Sequence, residues 1–440
     1  MHDVIVIGAG LAGTECAWQL AIRGFRVALW EMKPQEYSPA HHSPNLGELV
    51  CSNSLRGAAL STAPGLLKEE LRRCGSLMME AADTHAVPAG GALAVDREAF
   101  AAHITQRIDN HPNITRYAGR VDEIPEGPCV IATGPLTDGK LADAINELFG
   151  GEEPLHFYDA AAPIVSFESI DMAQAYFASR YDKGTPDYIN CPMNKEQYLA
   201  FVEALRTAEE APVHGFEDKA VFEGCMPVEV MARRGEDTLR FGPMKPVGLR
   251  DPRTGEKPYA VVQLRADNEE KTMFNIVGFQ THLKFPEQKR VFGMIPALAN
   301  AEYFRYGVMH RNSFIDSPGR LDKFYRVIGR ENLMLAGQIT GVEGYIESAA
   351  SGFCCGVNMA RQLAGKEPIE FPGTTALGAL VRHISAFEGK NFQPMNINFG
   401  LIDSLDHRVR GKRERYTEIA ERGLAVLDGM LPLVREDVKA

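Results

Sequence analysis

The sequence predicts an α/β protein in which a Rossmann-like dinucleotide-binding domain is interrupted by a mixed α+β domain. Three observations indicate this fold class. A short β-branched strand, Val4–Ile7, leads through a glycine-rich turn into a helix-like segment. A similar strand, turn and helix pattern returns at residues 331–352. Between the two, past Pro154, the regular alternation of strands and helices stops, which is typical of an insertion.

The first glycine-rich turn has the spacing of a dinucleotide site. Its glycines lie at positions 8, 10 and 13. In this spacing the first glycine permits a tight turn, the second lets a pyrophosphate approach the backbone, and the third lets the helix pack against the strand. The following strand ends in Glu31, whose carboxylate can accept hydrogen bonds from an adenosine ribose. The predicted contacts in this region are Gly8, Ala9, Gly10, Leu11, Ala12, Gly13 and Glu31.

Two later segments extend this site. Residues 129–134 form a buried strand that ends in Thr-Gly, where the backbone can pass close to a dinucleotide. Residues 331–352 place a second glycine-containing turn before a helix, whose amino end suits a flavin edge or a phosphate. One large cofactor is therefore expected to bridge both ends of the chain, with further contacts at Thr133, Gly134, Gly337, Gln338, Gly341 and Tyr345.

These patterns predict a discontinuous cofactor domain, residues 1–154 and 329–440, around an inserted substrate domain, residues 155–328. Within the first domain, apolar residues at helical intervals predict one helix over 66–82. Within the second, residues 195–209 form the clearest helix and residues 221–230 are expected to form a strand.

Composition limits the function classes. The 47 basic and 58 acidic side chains give a net charge of −11, so any nucleic acid must meet a local basic surface. The eight cysteines lack zinc spacing and no metal site is expected. Neither a signal-like segment nor an uninterrupted apolar run of about 18 residues occurs, so we expect no membrane contact and a cytoplasmic location. Oligomeric state is left open.

Four segments together resemble one family. They are residues 8–13, 48–56 (ELVCSNSLR), 222–229 (FEGCMPVE) and 337–345 (GQITGVEGY). The resemblance is to the bacterial folate- and FAD-dependent tRNA uracil-5-methyltransferases, which are related to the glucose-inhibited division protein A flavoproteins. It implies methylation of the T-loop uridine in the T-arm of tRNA. The implied carbon donor is 5,10-methylenetetrahydrofolate, and the implied reductant is FAD reduced by NADH or NADPH.

That chemistry needs two groups beside the uracil ring. A thiolate must add to C6 and leave again, and a base must remove the C5 proton after the methylene carbon has been captured. With the resemblance, Cys225 is assigned as the nucleophile and Cys51 as the base. The two roles could be exchanged.

Substrate contacts are less sharply defined by the sequence. Arg56 closes the Cys51 motif and could pair with a phosphate or a glutamate tail. Residues 280–330 hold nine basic and four acidic side chains with interleaved aromatic residues, which favours RNA contact. Further candidate substrate residues are His282, Lys284 and Arg311.

Three other functions are compatible with parts of the pattern. The related flavoproteins that modify the wobble uridine carry a long extra carboxyl-terminal region, for which this chain leaves little room. A disulfide reductase is disfavoured because no Cys-x-x-Cys pair is present. A non-catalytic flavin-dependent RNA-binding module would bind tRNA without methyl transfer.

Overall fold

Two hydrophobic cores organise the molecule. The computed structural model describes residues 2–151, 155–212, 226–389 and 392–436, apart from the side chains of 155–159, 310 and 311. One core gathers residues from 4–145 and 314–434, and the other gathers residues from 165–301. The chain thus leaves the first core, builds the second, and returns to the first.

Strands and helices alternate in the first third of the chain and again after residue 326. The strands are β1 (Val4–Ile7), β2 (Val27–Glu31), β3 (Ser54–Gly57), β4 (Ala86–Val87), β5 (Ala92–Val95), β6 (Ile114–Ala118), β7 (Cys129–Ile131), β8 (Leu155–Ala160), β9 (Ile164–Ser166), β10 (Tyr176–Ala178), β11 (Tyr188–Met193), β12 (Ala260–Ala266), β13 (Met273–Ile276), β14 (Tyr303–Arg305), β15 (Met309–Phe314), β16 (Arg326–Val327) and β17 (Arg330–Leu335). The helices are α1 (Leu11–Ile22), α2 (Ala63–Arg73), α3 (Leu77–Thr84), α4 (Arg97–Asp109), α5 (Gly139–Leu148), α6 (Lys195–Thr207), α7 (Val228–Arg234), α8 (Thr238–Phe241), α9 (Phe285–Phe292), α10 (Tyr345–Leu363), α11 (Ala376–Ala386) and α12 (Lys412–Val434).

The first core contains a six-stranded sheet in the order β16-β17-β7-β1-β2-β6. All neighbouring strands run parallel except β16 and β17. The carboxyl ends of β1, β7 and β17 therefore lie side by side, although β17 comes some 200 residues after β7. Helices α1 and α10 follow β1 and β17 and pack closely, since a Cβ on Gly352 would lie 2.0 Å from the Ala12 carbonyl oxygen. The predicted α/β fold with parallel strands is confirmed.

The second core is built on an antiparallel sheet in the order β10-β11-β12-β13-β9-β14. Helix α6 covers it through Tyr198, Phe201 and Leu205, all buried. The pair β8–β15 joins the two cores, and the small sheet β3-β5-β4 lies beside the first. No helix in the described part of the chain is long and apolar enough to cross a bilayer.

Two local predictions were wrong. The expected single helix over 66–82 is broken into α2 and α3, because Gly75 adopts φ 77° and ends the first of them. Part of the expected strand over 221–230 lies outside the described residues. The rest forms the start of α7, where Val228 donates its N–H to the Gln280 carbonyl and Met231 donates to Pro227.

Candidate functional site

A long cleft runs across the carboxyl ends of β1, β7 and β17. It encloses about 1430 Å³, including its mouth, and is lined mainly by the turns after these strands. In open parallel sheets this edge is where dinucleotides bind. The residues expected at the cofactor therefore converge here from both ends of the chain.

The glycine turn after β1 fits a nucleotide for identifiable steric reasons. A Cβ on Gly8, at φ 95°, would lie 2.5 Å from the Ala132 carbonyl oxygen, and one on Gly13 would lie 1.7 Å from the Gly8 carbonyl oxygen. A Cβ on Gly10 would meet nothing within 4 Å, because this residue faces the cleft. The two outer glycines thus permit the fold, and the middle one leaves space for a ligand.

The acidic residue at the end of β2 is held in place by the backbone. Glu31 is 8% exposed and accepts hydrogen bonds from the N–H of Ala9 at 2.8 Å and the N–H of Lys33 at 3.1 Å. It lines the cleft beside Gly10. Its remaining acceptor capacity therefore faces the space that a ribose would fill.

The later turns complete the wall of the cleft. Thr133, Gly134, Gly337 and Gln338 line it, and Gly337 has φ 86°. The Gln338 side chain donates to Glu343 at 2.9 Å.

Gly341 lies apart from these residues. A Cβ on it would come within 2.4 Å of the Phe392 ring, so this glycine packs beneath the turn.

Cys51 and Tyr345 meet at one end of the cleft. The Cys51 N–H donates to the Tyr345 hydroxyl at 2.7 Å, although 294 positions separate them in sequence. The Cys51 sulfur lies 3.7 Å from the Ala160 carbonyl oxygen. Cys51 and Tyr345 both line the cleft. The structure thus brings together the predicted thiol and the predicted aromatic residue.

Exposure separates Cys51 from the other described cysteines. Cys51 is half-buried, and the six others in the described ranges are buried. Burial raises the pKa of Cys74, Cys129 and Cys191 to about 12 each. It also raises the pKa of Cys16, Cys354 and Cys355. These six remain thiols at neutral pH, and Cys51 is the thiol of the described chain that a ligand in the cleft can reach.

Two arginines from different elements fix the backbone around Cys51. Arg97, in the first turn of α4, donates to the Cys51 carbonyl at 2.9 Å and also to the Leu49 carbonyl. It forms a bidentate pair with buried Asp267 at 3.0 and 3.1 Å. Arg305 donates to the Val50 carbonyl. Burial opposes the charge on Arg97, but Asp267 more than offsets this and raises its pKa.

Sequence reasoning missed Arg97, Asp267 and Arg305. One signal was available, since an arginine in the first turn of a helix is disfavoured by the helix dipole and requires a compensating partner. The partner, Asp267, is 170 positions away and could not be recognised from sequence.

Arg56 occupies a strained turn that is held by two buried charged side chains. It has φ 65° and pairs with buried Glu347 at 3.1 Å. Lys68 is fully buried and donates to the Leu55 and Gly57 carbonyls, each at 2.8 Å, on both sides of Arg56. Burial lowers the pKa of Lys68 to about 7. Its partner Glu347 follows Tyr345 by two residues, so Arg56 is held at the start of α10.

His282 lies away from the cleft. Its Nε2 is 2.8 Å from Glu210 and its Nδ1 is 2.7 Å from Glu229, and its side chain is 2% exposed. The two carboxylates outweigh the effect of burial and raise the pKa of His282 to about 9, while that of Glu210 falls to about 2. This charged cluster joins the chain before residue 213 to the chain after 225.

Two predicted residues cannot be placed. Cys225 and the side chain of Arg311 lie outside the described residues.

Four of the nine basic side chains counted in segment 280–330 are paired with acids in the structure. Lys284 pairs with Glu209 at 2.7 Å and Arg290 with Glu287 at 2.6 Å. Lys323 pairs with Glu370. Of the aromatic residues in this segment, Phe292 is in the second core, and Phe304 is 61% exposed. The charge count from sequence overstated the free positive charge of this surface.

The parallel sheet with its ligand cleft defines a dinucleotide-binding α/β protein. A family model described as "Glucose inhibited division protein A" matches residues 3–367. The chain is 59% identical over 426 residues, 97% of both chains, to methylenetetrahydrofolate--tRNA-(uracil-5-)-methyltransferase TrmFO of Heliobacterium modesticaldum. The protein of the same name from Enterococcus faecalis is 57% identical, over 96% of this chain and 97% of its own. The chain therefore belongs to the glucose inhibited division protein A family, among its TrmFO members.

A solved structure shares the fold at low identity. GidA of Aquifex aeolicus has a TM-score of 0.70 and 16% identity, over 100% of this chain and 75% of that chain. This likeness concerns the fold alone.

Proposed function

We propose that the protein transfers a one-carbon unit from 5,10-methylenetetrahydrofolate to C5 of the T-loop uridine of tRNA and reduces it to a methyl group. The observation that carries the proposal is the half-buried thiol of Cys51 at the end of the cleft, fixed by Tyr345. The names of the relatives support the same reaction class. A tRNA substrate places the reaction in the cytoplasm.

The cleft fits FAD, and its residues have distinct parts in holding it. Glu31 would bind the ribose, the turn at Gly10 would admit the pyrophosphate, and Tyr345 would lie beside the ring system. A bound flavin, reduced by NADH or NADPH, would supply the hydride for the transferred carbon. The two cores support an inserted substrate domain within a discontinuous cofactor domain, predicted as residues 155–328 within 1–154 and 329–440. Because residues 314–327 contribute to the first core, they favour a return boundary nearer 314 than 329.

The two cysteines would act in sequence on the uracil. The Cys225 thiolate adds to C6, which makes C5 nucleophilic enough to bond the methylene carbon of the folate. Cys51 then removes the C5 proton, and the bond to the folate nitrogen breaks to leave an exocyclic methylene. Hydride delivery to this methylene carbon expels the thiolate from C6 and leaves 5-methyluridine. The roles of Cys51 and Cys225 could be exchanged.

Arg97 and Arg305 together form a clamp on the backbone around Cys51, and this clamp supports the part of Cys51 in the scheme. Arg97 and Arg305 bind the carbonyls of residues 49–51, so they place two guanidinium groups near the sulfur. Tyr345 fixes the Cys51 N–H and thereby the direction of its side chain.

Residues outside the clamp would serve the substrates. Arg56 would meet a phosphate or the folate glutamate at the mouth of the cleft, with Lys284 and Arg311 contacting the RNA. His282 was expected to contact substrate directly. Its two carboxylate partners instead favour a part in holding the segment that contains Cys225.

The test is a reconstituted reaction. Purified protein, FAD, NAD(P)H and methylenetetrahydrofolate are incubated with unmodified tRNA, which is then digested to nucleosides and mapped by mass spectrometry. We expect 5-methyluridine in the T-loop; modification of the wobble uridine, or none, would contradict the proposal. Cys51→Ala and Cys225→Ala should each abolish methyl transfer with flavin still bound. Cys191→Ala, which alters a buried thiol remote from the cleft, should retain it.

A further inference from the structure

A second concave surface lies at the start of α12. It is formed by the loop 404–411 and the first turns of the helix, encloses about 1200 Å³ including its mouth, and is lined by Arg408, Arg410 and Arg415. We call it the basic pocket. Over residues 406–416 the chain carries five arginines and lysines against two acids, within a protein of net charge −11.

Five cations lie in or beside the basic pocket. Arg408, Arg410 and Arg415 line it, and Lys412 and Arg413 lie next to it in the first turn of α12. Within the described residues, none of their side chains has a carboxylate within 4.0 Å. All five residues are exposed. The positive charge of this surface is therefore available to a ligand.

Several other surface arginines of the protein are paired with carboxylates. Arg72 lies 2.6 Å from Asp83, Arg120 lies 2.6 Å from Asp138, and Arg290 lies 2.6 Å from Glu287. In the basic pocket the nearby acids Asp406 and Glu418 are instead taken by His407, at 2.7 and 2.6 Å. Glu414 is directed back to Gly411 at the start of the helix. The acids of this region are thus engaged by groups other than the five cations.

The basic pocket has a fixed framework. Tyr416 stacks on Phe399 with ring centroids 4.2 Å apart, and the Lys412 and Arg415 side chains lie 5.5 and 5.3 Å from the centre of the Tyr416 ring. Arg422 holds the start of the loop by donating to the Ser404 carbonyl at 2.8 Å. These contacts hold the loop and two of the cations, Lys412 and Arg415, in place before a ligand arrives, which reduces the entropy lost on binding.

A short piece of chain connects the basic pocket to the catalytic cleft. The N–H of Ile397 donates to Glu347 at 3.0 Å, and the same carboxylate binds Arg56. Phe399 follows Ile397 by two residues, a chain distance of about 7 Å. A polyanion lying on the basic pocket can therefore also reach the mouth of the cleft.

We propose that the basic pocket binds the phosphodiester backbone of the tRNA substrate and holds the RNA while its uridine enters the cleft. This inference rests on the proposed function. Clustered unpaired arginines and lysines are suited to successive phosphates, and the contacts carry no base specificity. Binding through them releases counterions and therefore weakens as salt rises.

The test compares tRNA binding by the flavin-loaded protein and by a triple variant, Arg408→Gln, Arg410→Gln and Lys412→Gln. Dissociation constants for unmodified tRNA are measured from low to high salt. We expect affinity near physiological salt to fall by about ten- to a hundredfold, and the slope of log affinity against log salt to decrease by about 2. Flavin content should be unchanged, which shows that the variant is folded.

The matched control removes the same charge from cations that have partners. Arg26, Arg116 and Lys140 are paired with Asp3, Asp109 and Asp122, and all three are changed to Gln. We expect this control to retain the affinity and slope of the parent protein. Equal effects in the two triple variants would show a general charge effect and overturn the inference.

Two further outcomes separate this inference from the proposed function. Loss of tRNA binding in the pocket variant, with no 5-methyluridine formed by the parent, would support the basic pocket and contradict the reaction. If the parent protein forms 5-methyluridine but the pocket variant binds tRNA with unchanged affinity, the reaction would be supported and the inference about the basic pocket would be contradicted. A variant that binds tRNA normally but loses its preference for polyglutamylated over monoglutamylated folate would assign the pocket to the folate tail and overturn the inference.

Discussion

Raising the pH should weaken the second core through a single histidine. His282 is buried between Glu210 and Glu229, and its pKa rises from 6.5 to about 9. The folded protein thus binds this proton more tightly than the unfolded chain does. The stabilisation is fully present below pH 6.5 and is lost as pH rises through 9. At about 1.4 kcal/mol per tenfold change in proton affinity, it amounts to about 3 kcal/mol. The lowered pKa of Glu210 arises from the same ion pair, so it contributes no further free energy to this sum.

Buried thiols provide an assay for each core in one molecule. Cys191 belongs to the second core and Cys16 to the first, and both are fully buried. Each reacts with a thiol reagent only when its core opens, so its labelling rate relative to an unfolded peptide at the same pH measures the opening free energy. Between pH 6.5 and 10, protection of Cys191 should fall on the order of a hundredfold through loss of the His282 charge.

The variant His282→Gln tests the cause. At pH 6.5 this variant should protect Cys191 less than the parent does, and its protection should not depend on pH between 6.5 and 10. The protection of Cys16 should be the same as in the parent. The matched control is His42→Gln, which alters an exposed histidine and should keep the parent profile. A pH profile for Cys191 that is flat in the parent, or that survives in His282→Gln, would refute the reasoning.

Two further substitutions test the cleft. Gly8→Ala should yield protein without bound flavin, as measured by visible absorbance. At φ 95° the new Cβ would lie 2.5 Å from the Ala132 carbonyl oxygen, and retained flavin would contradict this steric account. The control is Gly365→Ala, at a positive φ with nothing within 4 Å of the new Cβ. Arg97→Lys breaks the bidentate pair with Asp267 and should lower methyl transfer at least about tenfold with flavin retained, whereas Arg107→Lys, on an exposed face of the same helix, should not. Equal rates for the two lysine variants would remove Arg97 from the positioning of Cys51.

The cofactor end of the protein could be predicted because its signals are local. The spacing of Gly8, Gly10 and Gly13 is fixed by the backbone contacts that each glycine makes within one strand, turn and helix. The expectation of a single extended cofactor that touches both ends of the chain also put Tyr345 at the cleft, although the hydrogen bond from Cys51 to Tyr345 was not predicted. A known ligand shape thus acted as a long-range constraint.

The rest depended on partners that sequence order hides. The segment 280–330 was expected to be basic, yet Lys284 and Lys323 are neutralised by Glu209 and Glu370, which lie outside it. Charge counts along a sequence omit such partners, so they identify a free surface only when every neighbouring acid is known. The sequence shows the stretch 408–415 only as a run of charge, and the structure shows that no carboxylate of the described residues pairs with its cations.

The clamp on Cys51 explains why its thiol is placed between the two cores. Asn53 donates to the carbonyls of Val95, at 2.9 Å, and Ala266, at 3.0 Å, so the same loop is tied to both. Arg97 repeats this arrangement, because it belongs to α4 of the first core and pairs with Asp267 beyond β12. The loop therefore adopts its position only when both cores are folded and in contact.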